Sequence, residues 1–352
     1  MTPDCTIIAR TAAETVAVTP YLLGFHPHDS LVVVGFAGHR VIFGVRFDLP
    51  PPDCASDTFD ESIDLIVRQR AQAVLVLAYG PPTGVTRPAL LLGVGLRRAG
   101  VAMLDVIRVT GDRWWSFTCQ GRGCCPVEGN PCRPEQSAAV AEAVFQGRVA
   151  LPSRQALSER VAPIGGAVRT EMAAATERAR NRLGGADDPP GQRLWRLGRR
   201  AVRTAERRAR LGQPPTADEA AWLGVLLTDE TILEYALMRR SGDEWWLQLW
   251  IDVLRRVEPP FVAAPACLVG YVAWREGDGS LARVAVDRAL RADAGHRTAG
   301  LLDRVLSAGI APSALVALRP PPGPPGPTGP GRQRGGTGGG RRIRRGTHRR
   351  SM

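Results

Sequence analysis

The first third of the chain alternates between short apolar runs and amphipathic stretches. Residues 31–36 (LVVVGF) and 73–78 are continuous apolar runs rich in β-branched side chains, which predict strands covered on both faces. Residues 41–47 predict the second strand of a hairpin, and the helical spacing of apolar residues from Asp57 onward predicts a helix. Strands that are separated by helices need crossover connections, so the pattern predicts a mixed, largely parallel α/β sheet.

Sequence signals predict helices before and between these strands. Thr11 and Glu14 have the spacing of a capping box, so a helix is predicted from Thr11 toward Leu23, with Gly24 ending it. A second helix is predicted over residues 87–99. It is followed by strands over 101–110 and 113–118, which join at a Gly-Asp turn.

Beyond Arg133 the pattern is helical throughout. Glycine and proline divide this part into nine predicted helices, at 134–147, 169–183, 194–211, 217–227, 230–239, 245–255, 261–274, 279–292 and 297–308. Residues 261–292 predict a helical hairpin whose small residues Ala282, Ala285 and Ala289 face the first helix, as in tetratricopeptide-type units.

These patterns predict three segments. Residues 1–133 form an N-terminal α/β domain with a cysteine-rich loop, and residues 134–318 form an all-helical, tetratricopeptide-like C-terminal domain. Residues 319–352 carry prolines, glycines and arginines with almost no large apolar side chain, so we expect a disordered tail.

The amino-acid composition excludes several classes of catalytic and nucleotide-binding site. All 46 basic residues are arginine, and the absence of lysine excludes a Walker-A phosphate loop, a Schiff-base lysine and the strand lysine of protein kinases. The formal net charge is +12, and eight of the arginines lie after Pro320. The Gly93-Val-Gly95 pair lies inside a helical pattern with arginine at position 98, so we reject a dinucleotide fingerprint.

The same patterns bear on location. No apolar run approaches the ~20 residues of a membrane-spanning helix, and the first residues lack a secretory signal pattern. Seven cysteines, an odd and scattered set, do not form a disulfide framework. We therefore expect a cytoplasmic protein with no membrane contact.

Several motifs together resemble a known family. They are TPYLLGFHP at residues 19–27, which runs into SLVVVG, then GDRWWSFTC at 111–119 and GCCPVEG at 123–129. They are similar to the actinobacterial family named domain of unknown function 4192, and the hairpin at 273–289 resembles its C-terminal part. The resemblance spans residues 5–318 and implies no activity, because none is assigned to the family.

The strongest candidate site is the cysteine loop, which contains Cys119, Cys124, Cys125 and Cys132. Four thiolates within fourteen positions are a ligand set for structural zinc, although the loop lacks the usual Cys-x2-Cys spacing. A redox-active thiol pair is a second interpretation. Small side chains that fill a tight turn are a third. The sequence leaves all three open.

His26 and Asp29 form a second candidate site, in the polar stretch His-Pro-His-Asp-Ser before the first strand. They have the residue types of a general base and an orienting acid, or of metal ligands. Ligand sites of open α/β sheets lie beyond the carboxyl ends of strands. The position of this stretch, in front of a strand, therefore argues against a conventional crevice.

A basic helix and several tryptophans complete the candidates. Arginines recur at helical spacing in one predicted helix, where they either line a phosphate backbone or form a solvated face. They are Arg193, Arg196, Arg199, Arg200, Arg203, Arg207 and Arg208. The tryptophans of the helical part are predicted to be core residues, and any exposed ones among them would anchor a partner. They are Trp222, Trp245, Trp246, Trp250 and Trp274.

The sequence therefore favours an interaction module without a complete catalytic constellation. Its helical domain would bind a protein partner, and its cysteine loop would be a zinc or thiol site. One alternative is a redox sensor or enzyme that uses the Cys119–Cys132 loop. The other is a nucleic-acid-associated protein whose arginine-rich tail binds polyanions weakly.

Overall fold

The computed structural model describes residues 7–51, 53–119, 125–183, 190–239 and 243–312. Residues 1–319 belong to one compact unit and residues 320–352 to another. The predicted tail lies outside the described residues, as does Cys124 of the cysteine loop.

The elements alternate between strands and helices up to residue 131 and are helical afterwards. The strands are β1 (Ser30–Ala37), β2 (Arg40–Asp48), β3 (Ala73–Tyr79), β4 (Met103–Thr110), β5 (Arg113–Ser116) and β6 (Asn130–Pro131). The helices are α1 (Ala12–Leu23), α2 (Asp60–Arg68), α3 (Pro82–Arg98), α4 (Ala138–Phe145), α5 (Arg154–Arg160), α6 (Ala167–Leu183), α7 (Pro190–Arg210), α8 (Ala217–Leu226), α9 (Glu230–Met238), α10 (Glu244–Arg256), α11 (Ala263–Arg275), α12 (Gly279–Ala292) and α13 (Arg297–Ser307).

Helix α1 begins where its sequence signal predicts. The Thr11 hydroxyl accepts a hydrogen bond from the Glu14 backbone N–H at 3.1 Å, and Gly24 ends the helix with φ 77°. The Glu14 carboxylate accepts from the Arg10 N–H at 2.7 Å, one residue earlier than a standard capping box. The cap still satisfies two free backbone donors.

The sheet has the strand order β2-β1-β3-β4-β5-β6. Only β3 and β4 pair in parallel, and the other four pairings are antiparallel. The prediction of a mixed α/β sheet is confirmed, whereas the prediction that it is largely parallel is wrong.

The reason lies in the two hairpins. The helix-connected strands β2, β3 and β4 do run in the same direction, as crossover connections require. Strand β1, however, lies between β2 and β3, and β5 returns beside β4. The crossovers are therefore parallel, but the neighbours in the sheet are mostly antiparallel.

The sheet is covered on both faces. One face of β1 and β3, with Val32, Val34 and Leu77, belongs to a core that also contains α1 and most of the helical part. The other face, with Leu31 and Val33, packs against α2 and α3. Sheet and helices thus share one contiguous core, and the division into domains at residue 133 stays a prediction.

Helices α11 and α12 form the predicted hairpin. Gly277 turns the chain with φ 84°, and the Asp278 carboxylate caps α12 by accepting from the Leu281 N–H at 2.9 Å. Gly270 of α11 lies against Val286 and the backbone of α12, where a larger side chain would not fit. Small residues therefore allow the close packing, while a tetratricopeptide character stays a prediction.

Four tryptophans of the helical part are core residues. Trp222, Trp246, Trp250 and Trp274 are all at most 8% exposed. They therefore stabilise the helical core and are not available as surface anchors. Among the residues that the structure describes, no helix is long and apolar enough to cross a membrane.

The shared core can be tested at Leu77, which is 0% exposed in β3. We expect Leu77→Ala to lower the free energy of unfolding by about 2–5 kcal/mol, because it leaves a cavity between sheet and helices. Leu104→Ala in β4 removes the same atoms from a side chain that is 57% exposed, and should cost less than about 0.5 kcal/mol. Tryptophan fluorescence during urea unfolding reports the shift, and an unshifted tryptophan transition would show that the helices do not share this core.

Candidate functional site

The polar stretch before β1 lies at the carboxyl end of β3, contrary to expectation. Because β1 runs antiparallel to β3, Ser30 pairs with Tyr79, so the start of β1 lies beside the carboxyl end of β3. The argument that placed His26 and Asp29 away from the carboxyl ends of strands is therefore wrong. It assumed that β1 runs in the same direction as β3.

The carboxyl ends of β3 and β4 are joined by hydrogen bonds around Gly80. The Gly80 N–H donates to the Val109 carbonyl at 3.0 Å, and the Thr110 hydroxyl donates to the Gly80 carbonyl at 2.7 Å. Gly80 has φ 144°, and an added Cβ would lie 3.0 Å from the Asp29 carboxylate. Only glycine fits there, so Asp29 is held against the backbone that links β3 to α3.

Cys132 lies at the same edge of the sheet. Its N–H donates to the Asp112 carbonyl at 2.7 Å, and Asp112 forms the turn after β4. Burial, followed by the Asp112 charge, raises the pKa of the Cys132 thiol to about 11. Burial also raises the pKa of the Tyr79 phenol, which Cys132 influences electrostatically. Both groups therefore keep their protons at neutral pH.

His26 is a weak base in this setting. Partial burial and then the neighbouring His28 lower the pKa of the His26 imidazole, so it is neutral at pH 7. Its backbone N–H donates to the Leu151 carbonyl at 2.8 Å, which fixes the stretch to the chain before α5. His26, Tyr79 and Cys132 are thus neutral at pH 7, and the pKa of the thiol and of the phenol is raised, not lowered as in an activated nucleophile.

The described part of the cysteine loop is held by Trp115. Gly129, with φ 82°, packs directly against the indole ring, and the Trp115 Nε1–H donates to the Val127 carbonyl at 3.1 Å. Arg113 adds a hydrogen bond to the Gly129 carbonyl at 2.9 Å. The GDRWWSFTC motif therefore packs against residues 127–129 of the neighbouring GCCPVEG motif.

The cysteines of the loop are in two chemical states. Cys119 takes part in a disulfide bond, whereas Cys132 is a free thiol. Within the described ranges, no three His, Cys, Asp or Glu side chains come together in a way that could hold a metal ion. Because Cys124 lies outside those ranges, the four-cysteine zinc site stays a prediction.

A second region stands out on the helical part. The exposed face of α7 carries arginines at three- and four-residue spacing, at Arg196, Arg200, Arg203, Arg207 and Arg210. The opposite face is buried and contains Val202 and Ala205. This distribution is an amphipathic helix with one apolar and one cationic side.

Gly198 brings α9 close to this helix. An added Cβ at Gly198 would lie 2.5 Å from the Ile232 side chain, so a larger residue would push α9 away. A groove of about 650 Å³ runs along α7 and includes Arg239, which directly follows α9. We call this the arginine groove; it is lined by Arg196, Arg199, Arg200, Arg203, Thr204, Glu206, Arg207, Arg210 and Arg239.

Among the described residues, the one acidic side chain that lines the arginine groove is already neutralised. Arg239 donates two hydrogen bonds of 2.7 Å to the carboxylate of Glu206, which is 5% exposed. The hydrogen bonds and then the charge of Glu206 raise the pKa of Arg239. Arg200, Arg203, Arg207 and Arg210 line the same groove from the exposed face of α7.

Aromatic rings position several of these guanidinium groups. The Arg199 guanidinium lies 5.7 Å from the Trp195 ring and 5.6 Å from the Tyr235 ring. The Arg203 Nε–H donates to the Tyr235 hydroxyl at 3.1 Å, and Arg210 lies 5.0 Å from the Trp245 ring. The contacts reduce the freedom of long side chains before any ligand binds.

The sequence indicated only part of this groove. Helical spacing found the arginines of α7, but Arg208 pairs with Glu219 at 3.2 Å and does not line the groove, and neither does Arg193. Tyr235 lies in α9 and Arg239 directly follows it, 32 and 33 residues after the α7 side chains to which they are hydrogen-bonded. No local signal connects them to α7, because Gly198 makes the contact through tertiary packing.

The alkylation rate of Cys132 tests whether its thiol is buried and protonated at the sheet edge. At pH 8, we expect iodoacetamide to alkylate Cys132 on the order of a hundredfold more slowly than an ordinary thiol of pKa about 8.5, because the thiolate is rare. The rate should still rise between pH 9 and pH 11. Mass spectrometry of the Cys132 peptide measures both quantities.

A substitution at Asp112 separates the effect of its charge on the pKa of Cys132 from the effect of burial. Asp112→Asn removes the nearby negative charge, lowers the pKa of Cys132 and should speed alkylation, whereas Asp60→Asn on exposed α2 should not. A rate that reaches its plateau near pH 9 in the unaltered chain would contradict the buried, protonated thiol.

Comparison with known proteins gives a family but no activity. The searches of curated proteins and of solved structures gave no match. A family model described as a domain of unknown function, DUF4192, matches residues 13–313, a range that includes the sheet edge, the cysteine loop and the arginine groove. The chain therefore belongs to the DUF4192 family.

Proposed function

We propose that this chain is a binding module whose helical part holds a nucleic acid in the arginine groove. The observation that carries the proposal is the lining of that groove, which among the described residues consists of seven arginines, Thr204 and one glutamate that Arg239 already neutralises. Such a surface repels cations and attracts a chain of negative charges. The interaction module expected from the sequence thus acquires a partner of defined chemistry.

Phosphate is the anion that this surface suits best. The planar guanidinium fork matches two oxygens of a phosphate group. From Arg196 to Arg210 the helix advances by roughly 21 Å, at ~1.5 Å per residue. One nucleic-acid strand carries a phosphate about every 3.4 Å of axis, so the row spans roughly six phosphates. The contacts would be to the backbone and therefore independent of base sequence.

The ordering of the groove favours binding. Guanidinium groups that already rest on Trp195 and Tyr235 lose less conformational entropy when a phosphate arrives. The predicted arginine-rich tail at 319–352 would add further salt-sensitive contacts. A protein partner of the helical part would have to present an acidic surface to the same groove.

Removing two exposed charges tests the proposal. We expect Arg200→Gln combined with Arg207→Gln to weaken the binding of a labelled single-stranded DNA of about 20 nucleotides by roughly tenfold at 0.1 M salt. The slope of log K against log salt should fall in magnitude by about 1.4, because two phosphate contacts are lost and each contributes about 0.7 with a single strand. Fluorescence anisotropy of the full chain, titrated at several salt concentrations, measures both.

A matched control separates the effect of the groove arginines on binding from the effect of the net charge of the protein. Arg68→Gln combined with Arg304→Gln removes the same charge from exposed positions on α2 and α13. This pair should leave the slope nearly unchanged, and Arg200→Lys with Arg207→Lys should retain most of it. Equal losses in the two glutamine pairs, or no binding at 0.05 M salt, would refute a nucleic-acid site in the groove.

A thiol switch in the cysteine loop is a second candidate function. It is favoured by one observation, the disulfide at Cys119 in a loop whose last cysteine, Cys132, is a free thiol. A sulfur that is engaged in a disulfide is not a thiolate, so the zinc interpretation requires the reduced loop.

Counting thiols and metal distinguishes the two. We expect a dithiol reductant to open the disulfide with two electrons, which exposes two additional thiols per chain without release of zinc. Oxidation should then reverse the change, and Cys119→Ser should abolish it. About one zinc per chain in the reduced protein, lost in Cys119→Ser, would instead identify a metal site.

A further inference from the structure

Partly exposed aromatic side chains lie beside the arginine groove. Trp195, Tyr235 and Trp245 are half-buried, in contrast to the tryptophans that form the helical core. All three rings pack partly against that core. Each ring also lies beside the guanidinium group of an arginine that lines the groove. The groove therefore has aromatic as well as cationic side chains along it.

The two tryptophans lie at opposite ends of the arginine row. Trp195 is near the start of α7, where its ring contacts Tyr235 edge to face at a centroid distance of 5.4 Å. Arg210 ends α7, and its guanidinium group lies 5.0 Å from the Trp245 ring. The Trp245 indole is fixed by its edge, because Nε1–H donates to the Asp243 carboxylate at 2.9 Å. From Trp195 to Arg210 the helix advances by roughly 22 Å at ~1.5 Å per residue.

The guanidinium groups leave the centres of these rings uncovered. A guanidinium group in close contact with the face of a ring lies roughly 4 Å from its centre. Arg108 lies in this way over the Trp115 ring, at 3.9 Å. In the groove, by contrast, the Arg199 guanidinium is 5.7 Å from the centre of the Trp195 ring, and the Trp245 distance is also longer. The half-buried indoles can therefore accept a further flat group.

A nucleobase is the flat group that a nucleic-acid strand brings with its phosphates. Every base has a π-face, so its stacking on an aromatic side chain does not depend on the base sequence. The bases of a duplex already stack on each other, and they reach a protein ring only by leaving the helix. Arginines that follow the phosphates, with aromatic rings beside them, are the combination with which proteins hold single strands.

We propose that the arginine groove holds a single strand of nucleic acid and stacks its bases on Trp195 and Trp245. This inference rests on the nucleic-acid binding proposed above and adds a selectivity for unpaired bases. Phosphate contacts alone predict the opposite selectivity, because a duplex carries one charge per ~1.7 Å of its axis against one per ~3.4 Å for a strand. A preference for the single strand therefore separates stacking from charge.

Three labelled probes of about 20 nucleotides test the proposal by fluorescence anisotropy of the full chain. They are a DNA strand, its duplex, and a strand of abasic sites that keeps every phosphate. We expect the DNA strand to bind at least about tenfold more tightly than either of the other two at 0.1 M salt. The ratio between the two single strands should change little at 0.3 M salt, because both release the same counterions.

An RNA strand of the same sequence should also be preferred to its own duplex, since neither the phosphate contact nor the stacking involves the sugar. The tighter of the DNA and RNA strands identifies the nucleic acid that the groove prefers.

Substitutions locate the stacking. Trp195→Leu and Trp245→Leu keep an apolar side chain but remove the flat ring, so each should weaken binding of the DNA strand about fivefold or more. Neither should weaken binding of the abasic strand, and this retained binding shows that the variant is folded. The control Trp114→Leu removes an indole from β5 of the sheet and should leave both affinities unchanged.

The outcomes separate this inference from the function on which it rests. Equal binding of the DNA and abasic strands, both weakened by Arg200→Gln with Arg207→Gln, would overturn the stacking and leave the phosphate groove in place. A preference for the duplex would do the same. A single-strand preference that survives both tryptophan substitutions would overturn the assignment to these rings. If a tryptophan variant also loses the abasic strand, the comparison of the three probes in the unaltered chain decides. Failure of all three probes to bind would remove both proposals.

Discussion

The double-sided burial of the central strands is the constraint on which this structure depends. Alternate residues of β1 point to two different cores, so Val32 and Val34 pack toward the helical part while Leu31 and Val33 pack toward α2 and α3. A strand buried in this way must satisfy its backbone groups on both edges, and β1 does so between β2 and β3. Layers on both faces of the sheet are therefore fixed by a single pair of strands.

The direction of β1 decides what meets at the carboxyl edge of the sheet. Because β1 is antiparallel to β3, the stretch from His26 to Ser30 lies beside Gly80, and Cys132 reaches the same edge through Asp112. Burial then keeps the phenol of Tyr79 and the thiol of Cys132 protonated. These two titratable side chains at the edge are thus neutral, whereas α7 carries a row of arginines on its exposed face.

Much of the fold could be predicted from local patterns. The apolar runs placed β1 and β3, the Thr11 signal placed the start of α1, and glycine and proline divided the helices closely to their observed bounds. Strand direction could not be predicted, because a hairpin strand inserted between crossover-linked strands leaves no local signature. Helix α5 was missed because its seven residues contain only two apolar side chains, Ala156 and Leu157.

The candidate sites were harder to predict, because side-chain contacts that the sequence does not reveal contribute to them. The sequence identified the arginines of α7, but not the close contact of Gly198 with Ile232, nor the contacts of the α7 side chains with Tyr235 and Arg239. The cysteine loop was recognised as a cluster, but the spacing of the cysteines does not reveal that Trp115 holds the loop.

The central claim is that this body binds a polyanion at a defined groove. Photo-crosslinking of the full chain to a single-stranded oligonucleotide that contains a photoreactive base, followed by peptide mass spectrometry, tests it most directly. The account predicts crosslinked peptides from residues 196–210 and around residue 239. Crosslinks confined to residues 320–352 would contradict it and leave nucleic-acid contact to the tail alone.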